Sequence, residues 1–168
     1  MIDSGADFDQ TGKYRYKLWR IWNKDEPTIL FIMLNPSTAN AETDDPTIRR
    51  CLNFAKSWGY GGIEVVNLFA LVSSDPEKLL TTPNSIGENN GQVILQASGR
   101  SKKIIVAWGA FREAIARGKE VIRLLDKFDI YCLGRTKSGH PKHPLYLRSD
   151  VNPVIYQWKN DELGGTNA

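Results

Sequence analysis

The sequence of 168 residues has little cysteine, no long apolar run and only a small excess of charge, and each shortage excludes a class of protein. Its two cysteines, Cys51 and Cys132, lie far apart and outside any Cys-x-x-Cys or Cys/His spacing. We therefore expect neither a disulfide framework nor a zinc or iron–sulfur site, and no other cofactor. Two buried thiols in a reducing compartment fit this pattern. No run of about 18 apolar residues is present, so no transmembrane helix is expected.

The first ten residues, MIDSGADFDQ, have neither the basic nor the apolar segment of a secretory signal. We therefore expect a cytoplasmic protein that does not enter a membrane. The composition, 41% hydrophobic and 24% charged, suits one globular domain over residues 1–168. Residues 1–12 and 160–168 are expected to be flexible ends.

Positive charge is concentrated in the second half of the chain, although the net charge is only +3. Residues 101–143 contain ten Lys or Arg and four Asp or Glu, a local excess of six positive charges. Residues 134–148 contain no acidic residue and four basic ones, namely Arg135, Lys137, Lys142 and Arg148. Such a stretch is either a solvated basic face or a surface for a polyanion. Arg135, Lys137 and Lys142 are the candidates for contacts with the phosphates of such a polyanion.

Hydrophobic patterning predicts strands that alternate with helices. The predicted strands cover residues 28–34, 63–69, 103–108 and 129–133, and the predicted helices cover 46–58, 74–80, 87–100 and 110–127. Asp45 is the predicted N-cap of the first helix, with Pro46 at its first position. The order of elements predicts a three-layer α/β/α sandwich with a mostly parallel, four-stranded central sheet.

Residues 13–22 alternate between polar and apolar side chains, which is typical of a strand. The alternation places Leu18 on one face and three basic residues, Lys13, Arg15 and Lys17, on the other. Residues 23–26 predict a turn, so that 13–22 and 28–34 form an N-terminal hairpin. Residues 153–158 are expected to pack back on the domain.

Polar and aromatic residues follow the predicted strands at their carboxyl ends. They are Asn35-Pro36-Ser37, Asn67-Leu68-Phe69, Trp108-Gly109, and a loop with the two histidines of the chain, His140 and His143. Asn and Pro also simply end strands, but four such ends at one edge favour a shared ligand site. A carboxamide complements a base edge such as uracil O4 and N3–H, and an imidazole donates to an oxygen that gains negative charge. Asp44-Asp45 suits a cation or, as we favour, the N-cap.

Several segments look like the bacterial family called domain of unknown function 1643, from about Tyr14 to Leu147. They are YRYKLWRIW, FIMLNPSTANAETDDPTIRRC, WGYGGIEVVNLFAL, VAWGA and LGRTKSGHPKHPLYL. The layout is also similar, more distantly, to the uracil-DNA glycosylase superfamily. Met33-Leu34-Asn35-Pro36-Ser37 resembles the Gly-Ile-Asn-Pro-Gly motif of its mismatch-specific branch, with Met33 and Ser37 in place of the glycines. Asn67, Val106-Ala107-Trp108-Gly109 and His143-Pro144-Leu145 resemble its later motifs, and the loop lacks the serine of the family's His-Pro-Ser-Pro-Leu.

This second resemblance implies a fold like that of uracil-DNA glycosylases and an enzyme that flips out a damaged, mismatched or modified base and hydrolyses its N-glycosidic bond. It implies that Asn35 positions water and His143 stabilises the departing base, with His140 as the second choice. The residues expected to bind the base are Asn67, Phe69, Trp108, Pro36 and Ser37. DNA, single- or double-stranded, is the expected partner. Two alternatives stay open: a non-catalytic nucleic-acid or nucleotide-binding module, and an enzyme acting on free, modified nucleotides.

Overall fold

The structure is a computed structural model that describes residues 1–157, which form one sheet with helices on both faces. The strands are β1 Asp3–Phe8, β2 Arg15–Ile21, β3 Thr28–Met33, β4 Gly62–Asn67, β5 Lys103–Val106, β6 Ile130–Cys132 and β7 Val154–Ile155. The helices are α1 Pro46–Ser57, α2 Lys78–Thr81, α3 Asn90–Arg100 and α4 Ala114–Leu124. The α/β class expected from the sequence is confirmed.

The sheet has seven strands in the order β1-β2-β4-β3-β5-β6-β7, so the predicted count of four was wrong. The four predicted strands are its centre, where β4, β3, β5 and β6 run parallel. Antiparallel strands extend both sides, with β2 against β4 and β7 against β6. The sheet is therefore mixed. The short edge strands were not predicted because they lack the apolar runs that identify buried strands.

The predicted hairpin between residues 13–22 and 28–34 does not form. Strand β2 pairs with β1 and β4, while both edges of β3 are taken by β4 and β5. The reason is burial, because β3 is apolar on both faces and belongs in the middle of the sheet. Residues 1–12 also differ from the flexible end that the sequence suggested, since Asp3–Phe8 form β1.

The helices cover the two faces of the sheet unequally. Among the helices of residues 1–157, only α1 packs into the core on one face, with Ile48, Cys51 and Phe54, whereas α2, α3 and α4 contribute to the core on the other. The predicted start of α1 is confirmed, because the Asp45 carboxylate accepts a hydrogen bond from the Ile48 N–H at 2.9 Å. Residues 1–157 contain no helix with the length and apolarity needed to span a membrane. Residues 160–168 and Trp158 lie outside the described residues.

Candidate functional site

A cavity of about 240 Å³ opens at the carboxyl edge of the parallel strands. Loops after β3, β4, β5 and β6 reach it, together with the N-terminus of α1 and one side chain of β2. The polar and aromatic residues that line it include Arg15, Asn35, Ser37, Asp45, Asn67, Ser74, Phe111 and His143. Ligands of open α/β sheets bind at this edge because the loops that follow the strands converge there. The structure therefore brings Asn35, Pro36, Ser37, Asn67 and His143 together around one space.

The Asn35 side chain has its amide nitrogen fully engaged with backbone carbonyls. Nδ2 donates to the carbonyl oxygens of Pro36 at 3.0 Å, Leu71 at 3.3 Å and Ser73 at 2.8 Å. Three acceptors around one atom identify that atom as the nitrogen rather than the oxygen. These bonds hold the loop after β4 against the end of β3. What Asn35 offers to a ligand is therefore its oxygen, a hydrogen-bond acceptor.

The Asn67 side chain is oriented in the opposite sense. Its Oδ1 accepts from the Arg15 guanidinium at 3.5 Å, while its Nδ2 donates to no group within residues 1–157. The backbone of this strand end is held separately, since Asn90 Nδ2 donates to the carbonyls of Asn67 at 2.9 Å and Leu68 at 3.0 Å. Asn67 is buried and lines the cavity, so it offers a ligand an N–H donor.

One asparagine offers the ligand a hydrogen-bond acceptor and the other offers it a donor, although we had expected each carboxamide to offer both. Sequence reasoning treated each carboxamide as an acceptor and donor side by side. In the structure, Asn35 retains the acceptor and Asn67 retains the donor, and both line the same cavity. A carbonyl oxygen of a planar ligand satisfies the Asn67 donor, and an N–H group or a water molecule satisfies the Asn35 acceptor.

His143 lies at the cavity in a conformation that fixes its tautomer. Its Nδ1 accepts a hydrogen bond from the Leu145 backbone N–H at 3.2 Å, so the neutral ring carries its proton on Nε2. Burial lowers the pKa of His143, and the negative charge of Asp45 opposes this shift without cancelling it. The ring is therefore neutral near neutral pH and acts as a donor through Nε2.

The loop that carries His143 is tied to helix α1 and to β5. The Arg50 guanidinium donates to the carbonyl of Pro144 at 3.4 Å and also to that of Leu147. Gly109, at the end of β5, donates its N–H to the carbonyl of Pro141 at 2.9 Å. Gly109 has φ +81°, a conformation that favours glycine, and it places Phe111 beside the cavity. These contacts position the imidazole.

Asp45 brings a carboxylate to the cavity, which sequence reasoning had missed. Its Oδ1 caps α1, whereas Oδ2 accepts no hydrogen bond from the described residues. Burial lowers the pKa of Arg15 and of His143, and the Asp45 carboxylate is close enough to both to oppose this shift in part. The neighbouring Asp44 is different, because it pairs with Arg20 at 2.9 Å and does not line the cavity. The N-cap that we predicted is real, and the same side chain also faces the site.

Arg15 is the second functional candidate that the sequence did not reveal. Period-two alternation placed it on the solvent side of β2, opposite Leu18. The pairing of β1 with β2 shifts where Asp7 faces Lys17 and Phe8 faces Arg15, so β2 contains one extra residue there. This β-bulge reverses the alternation and turns Arg15 inward, where it is only 2% exposed.

Two of the predicted base-binding residues do not reach the cavity. Phe69 and Trp108 are buried in the core on the α2–α4 face, and the Trp108 ring packs where Gly118 of α4 leaves room for it. The aromatic side chain at the cavity is instead Phe111, which is 39% exposed. An exposed ring in this position provides a surface on which a planar ligand stacks.

The predicted phosphate contacts lie in the turn between β6 and His143 and do not line the cavity. Arg135 packs over the Tyr156 ring at 5.6 Å, Lys142 is half-buried against Gly134, and Lys137 is exposed. The second-choice histidine, His140, lies in the same turn, where its backbone bonds to Thr136. Of the two histidines, only His143 lines the cavity.

Neither cysteine is placed for chemistry. Cys51 and Cys132 are both buried and free, and burial raises the pKa of each thiol. Within residues 1–157, no group of three His, Cys, Asp or Glu side chains is arranged to hold a metal ion.

The fold and the cavity define an α/β protein with a polar site at the carboxyl edge of its parallel strands. Residues 15–145 match the family described as Protein of unknown function (DUF1643), and the chain belongs to this family. No curated protein and no solved structure matches the chain.

Asn35→Asp is expected to destabilise the protein at neutral pH. The substitution places a carboxylate oxygen against the carbonyls of Leu71 and Ser73, which lose their donor. A buried acceptor without a partner costs about 1–3 kcal/mol. Thermal unfolding against pH measures this, and the deficit relative to wild type should shrink at acid pH, where the introduced carboxyl group is protonated and donates one hydrogen bond. An equal melting temperature at neutral pH would mean that these contacts do not hold the loop.

Proposed function

We propose that this protein is an N-glycosidic-bond hydrolase that acts on a nucleobase turned out of DNA. The observation that carries the proposal is the set of groups around one cavity: the Asn35 acceptor, the Asn67 donor and a neutral His143. The Asn67 and His143 donors match the carbonyl oxygens of a flat base, and the Asn35 acceptor suits a water molecule beside that base. The resemblance to uracil-DNA glycosylases at the strand ends supports the same activity.

The proposed chemistry is a displacement at C1′ of the sugar. A water oxygen forms a bond to C1′, and the bond from C1′ to the base nitrogen breaks, with the electron pair leaving on the base. His143 Nε2–H donates to the base oxygen on which negative charge develops. Asn35 Oδ1 accepts a hydrogen bond from the water and orients it. The proton lost from the water passes to the Asp45 carboxylate, whose Oδ2 has no partner among residues 1–157.

Asp45 also bears on the choice between an enzyme and a non-catalytic binding module. A non-catalytic module needs no acid at the first motif, where this chain has Asn35. A carboxylate that lines the same cavity provides a proton acceptor from another element, the N-terminus of α1. This observation favours an enzyme over a module.

An enzyme acting on free nucleotides is the other candidate, and the net charge of only +3, which is modest for a protein that binds duplex DNA, favours it. Arg135, Lys137 and Lys142 lie outside the cavity wall, so they have no direct part in holding the base. A DNA enzyme needs such residues beside the cavity to neutralise phosphates, and its binding then weakens steeply with salt. The salt dependence of binding to an oligonucleotide distinguishes the two substrates.

The test is a panel of labelled oligonucleotides carrying uracil, mismatched thymine, hypoxanthine or 5-hydroxymethyluracil. Wild-type protein should release a free base from at least one member and leave an abasic site that alkali cleaves. Mass spectrometry of the released base identifies the substrate. Tight binding without release supports the module, and release only from nucleosides or nucleotides supports the second candidate.

Asn67→Asp is expected to preserve the fold and weaken ligand binding. A carboxylate at this position still accepts from Arg15, so the strand end keeps its partner, but the donor towards the ligand is lost. A good bidentate contact to a base discriminates by about 1–3 kcal/mol, and loss of one donor should reduce affinity about tenfold. Isothermal titration with the released base, together with a melting curve, checks both parts. Unchanged affinity would remove Asn67 from base recognition.

A further inference from the structure

Arg15 places a positive charge at the cavity, where it has no ion-pair partner among residues 1–157 and one of its nitrogens has no hydrogen bond. The residue is 2% exposed, and burial lowers its pKa to about 10, so the guanidinium stays charged at neutral pH. Nη1 donates to the Ala39 carbonyl at 3.0 Å and Nη2 donates to Asn67 Oδ1 at 3.5 Å, which is long for a hydrogen bond. Nε is buried and has no partner in the described chain.

The charged groups around Arg15 leave room for an anion. Asp45 faces it from the N-terminus of α1 and partly opposes the lowering of its pKa by burial, whereas Arg20 on the same strand adds to that lowering. Asp45 forms no ion pair with Arg15 within hydrogen-bonding distance, and its Oδ1 is already bonded to Ile48 N–H. His143 is the third titratable side chain that lines this cavity, and it is neutral. Buried guanidinium groups are usually paired with carboxylates or phosphates, and this one is not.

We propose that Arg15 and Asn67 Nδ2 form a binding site for an anionic oxygen at the inner end of the cavity. This inference rests on the proposed function, because the ligand that it assigns is the ionised base after its bond to C1′ has broken. The guanidinium and the amide donate to one exocyclic oxygen of the base, which shares the delocalised negative charge with the oxygen that accepts from His143. Arg15 is thereby a specificity-determining residue that favours bases whose ring N–H is acidic.

The donor set explains why Arg rather than Lys suits this position. A planar guanidinium donates to Ala39 and to Asn67 at the same time and still has N–H groups left for a ligand. The bond to Asn67 Oδ1 also turns the amide so that Nδ2 faces the ligand. Arg15 therefore acts twice, once through its charge and once by orienting its neighbour.

The experiment measures binding of free 5-fluorouracil by isothermal titration between about pH 7 and pH 9, where its ring N–H ionises and Arg15 stays charged. Affinity of the wild type should rise with pH as the anion becomes the main form. Arg15→Gln keeps a donor but removes the charge, and it should bind the anion about 10- to 100-fold more weakly, with little pH dependence. Arg15→Lys, which keeps a charge, should retain part of the rise. Arg100→Met is the control, because Arg100 pairs with Glu64 outside the cavity.

Wild-type affinity that does not rise with pH, or an Arg15→Gln variant that matches wild type, overturns the inference. If Arg15→Gln does not fold by circular dichroism, the Arg15→Lys titration decides: retention of part of the pH-dependent rise supports the inference, and complete loss of the rise overturns it. Arg15→Lys binding identical to wild type at both pH values overturns the part assigned to amide orientation. Failure of the proposed function looks different: no oligonucleotide is cleaved, yet 5-fluorouracil still binds in an Arg15-dependent manner.

Discussion

Asp45→Asn is expected to lower the rate of base release by about 10²- to 10⁴-fold, the usual contribution of a positioned general base. The fold should survive, because asparagine caps a helix nearly as well as aspartate and its oxygen accepts from the Ile48 N–H in the same way. The substitution therefore separates the two roles of this side chain. Single-turnover assays on the best oligonucleotide of the panel measure the rate, and thermal unfolding measures the cap.

Asp44→Asn is the matched control for this substitution. Asp44 precedes Asp45 in the chain and pairs with Arg20, but it does not line the cavity. We expect it to cost stability, because the buried Arg20 loses its charged partner, and to leave the chemical step close to wild type. An Asp45→Asn protein that keeps the wild-type rate would show that Asp45 is a helix cap and nothing more.

His143→Gln is expected to lower the rate by about 10²- to 10³-fold, as when one donor to a developing oxyanion is removed. In wild type the rate should also fall as the pH drops below the lowered pKa of His143. The reason is that protonation puts a second N–H on Nδ1, which then faces the Leu145 N–H instead of accepting from it. The variant should lack this acid limb in its pH–rate profile.

The lowered pKa of His143 also makes the stability of the fold depend on pH. The direction is opposite to that of a histidine in an ion pair, which stabilises the fold more as the pH falls. The unfolded histidine takes up a proton below about pH 6.5, whereas the buried ring resists it. The wild type should therefore lose stability as the pH falls through this range, and His143→Gln should lose less. His140→Gln is the control, since His140 does not line the cavity and the variant should retain the acid limb of the profile. If the acid limb of the pH–rate profile disappears in His140→Gln, the limb comes from His140 and not from His143, which contradicts this mechanism.

The meeting of Asn35, Asn67 and His143 could be predicted from the sequence because it follows from a single topological rule. Each residue lies at or beyond the carboxyl end of a strand of the parallel centre, and the carboxyl ends of such strands meet at one edge. The rule does not predict which atom of each asparagine side chain, the amide oxygen or the amide nitrogen, is left for a ligand. That outcome depends on long-range partners, such as the Ser73 carbonyl and Arg15, which no local pattern identifies.

Arg15 and Trp108 show two opposite failures of the same alternation rule. For Arg15 the rule was applied and gave the wrong face, because a β-bulge in β2 inserts an extra residue that the sequence does not mark. For Trp108 the alternation rule was correct, but we did not use it to assign the side chain to a face of the sheet. Ile104, Val106 and Trp108 share the α2–α4 face, so continuing the alternation of β5 past its end would have placed the indole in the core.

The central claim is that the cavity holds a base turned out of DNA, and a crystal structure of Asp45→Asn with the oligonucleotide that wild type cleaves tests it most directly. The variant should bind without cleaving, so the substrate persists in the crystal. The expected result is the target base inside the cavity, with its ring against Phe111 and one carbonyl oxygen within hydrogen-bonding distance of Asn67 Nδ2. A bound duplex in which that base remains stacked and the cavity lies away from the DNA would contradict the claim.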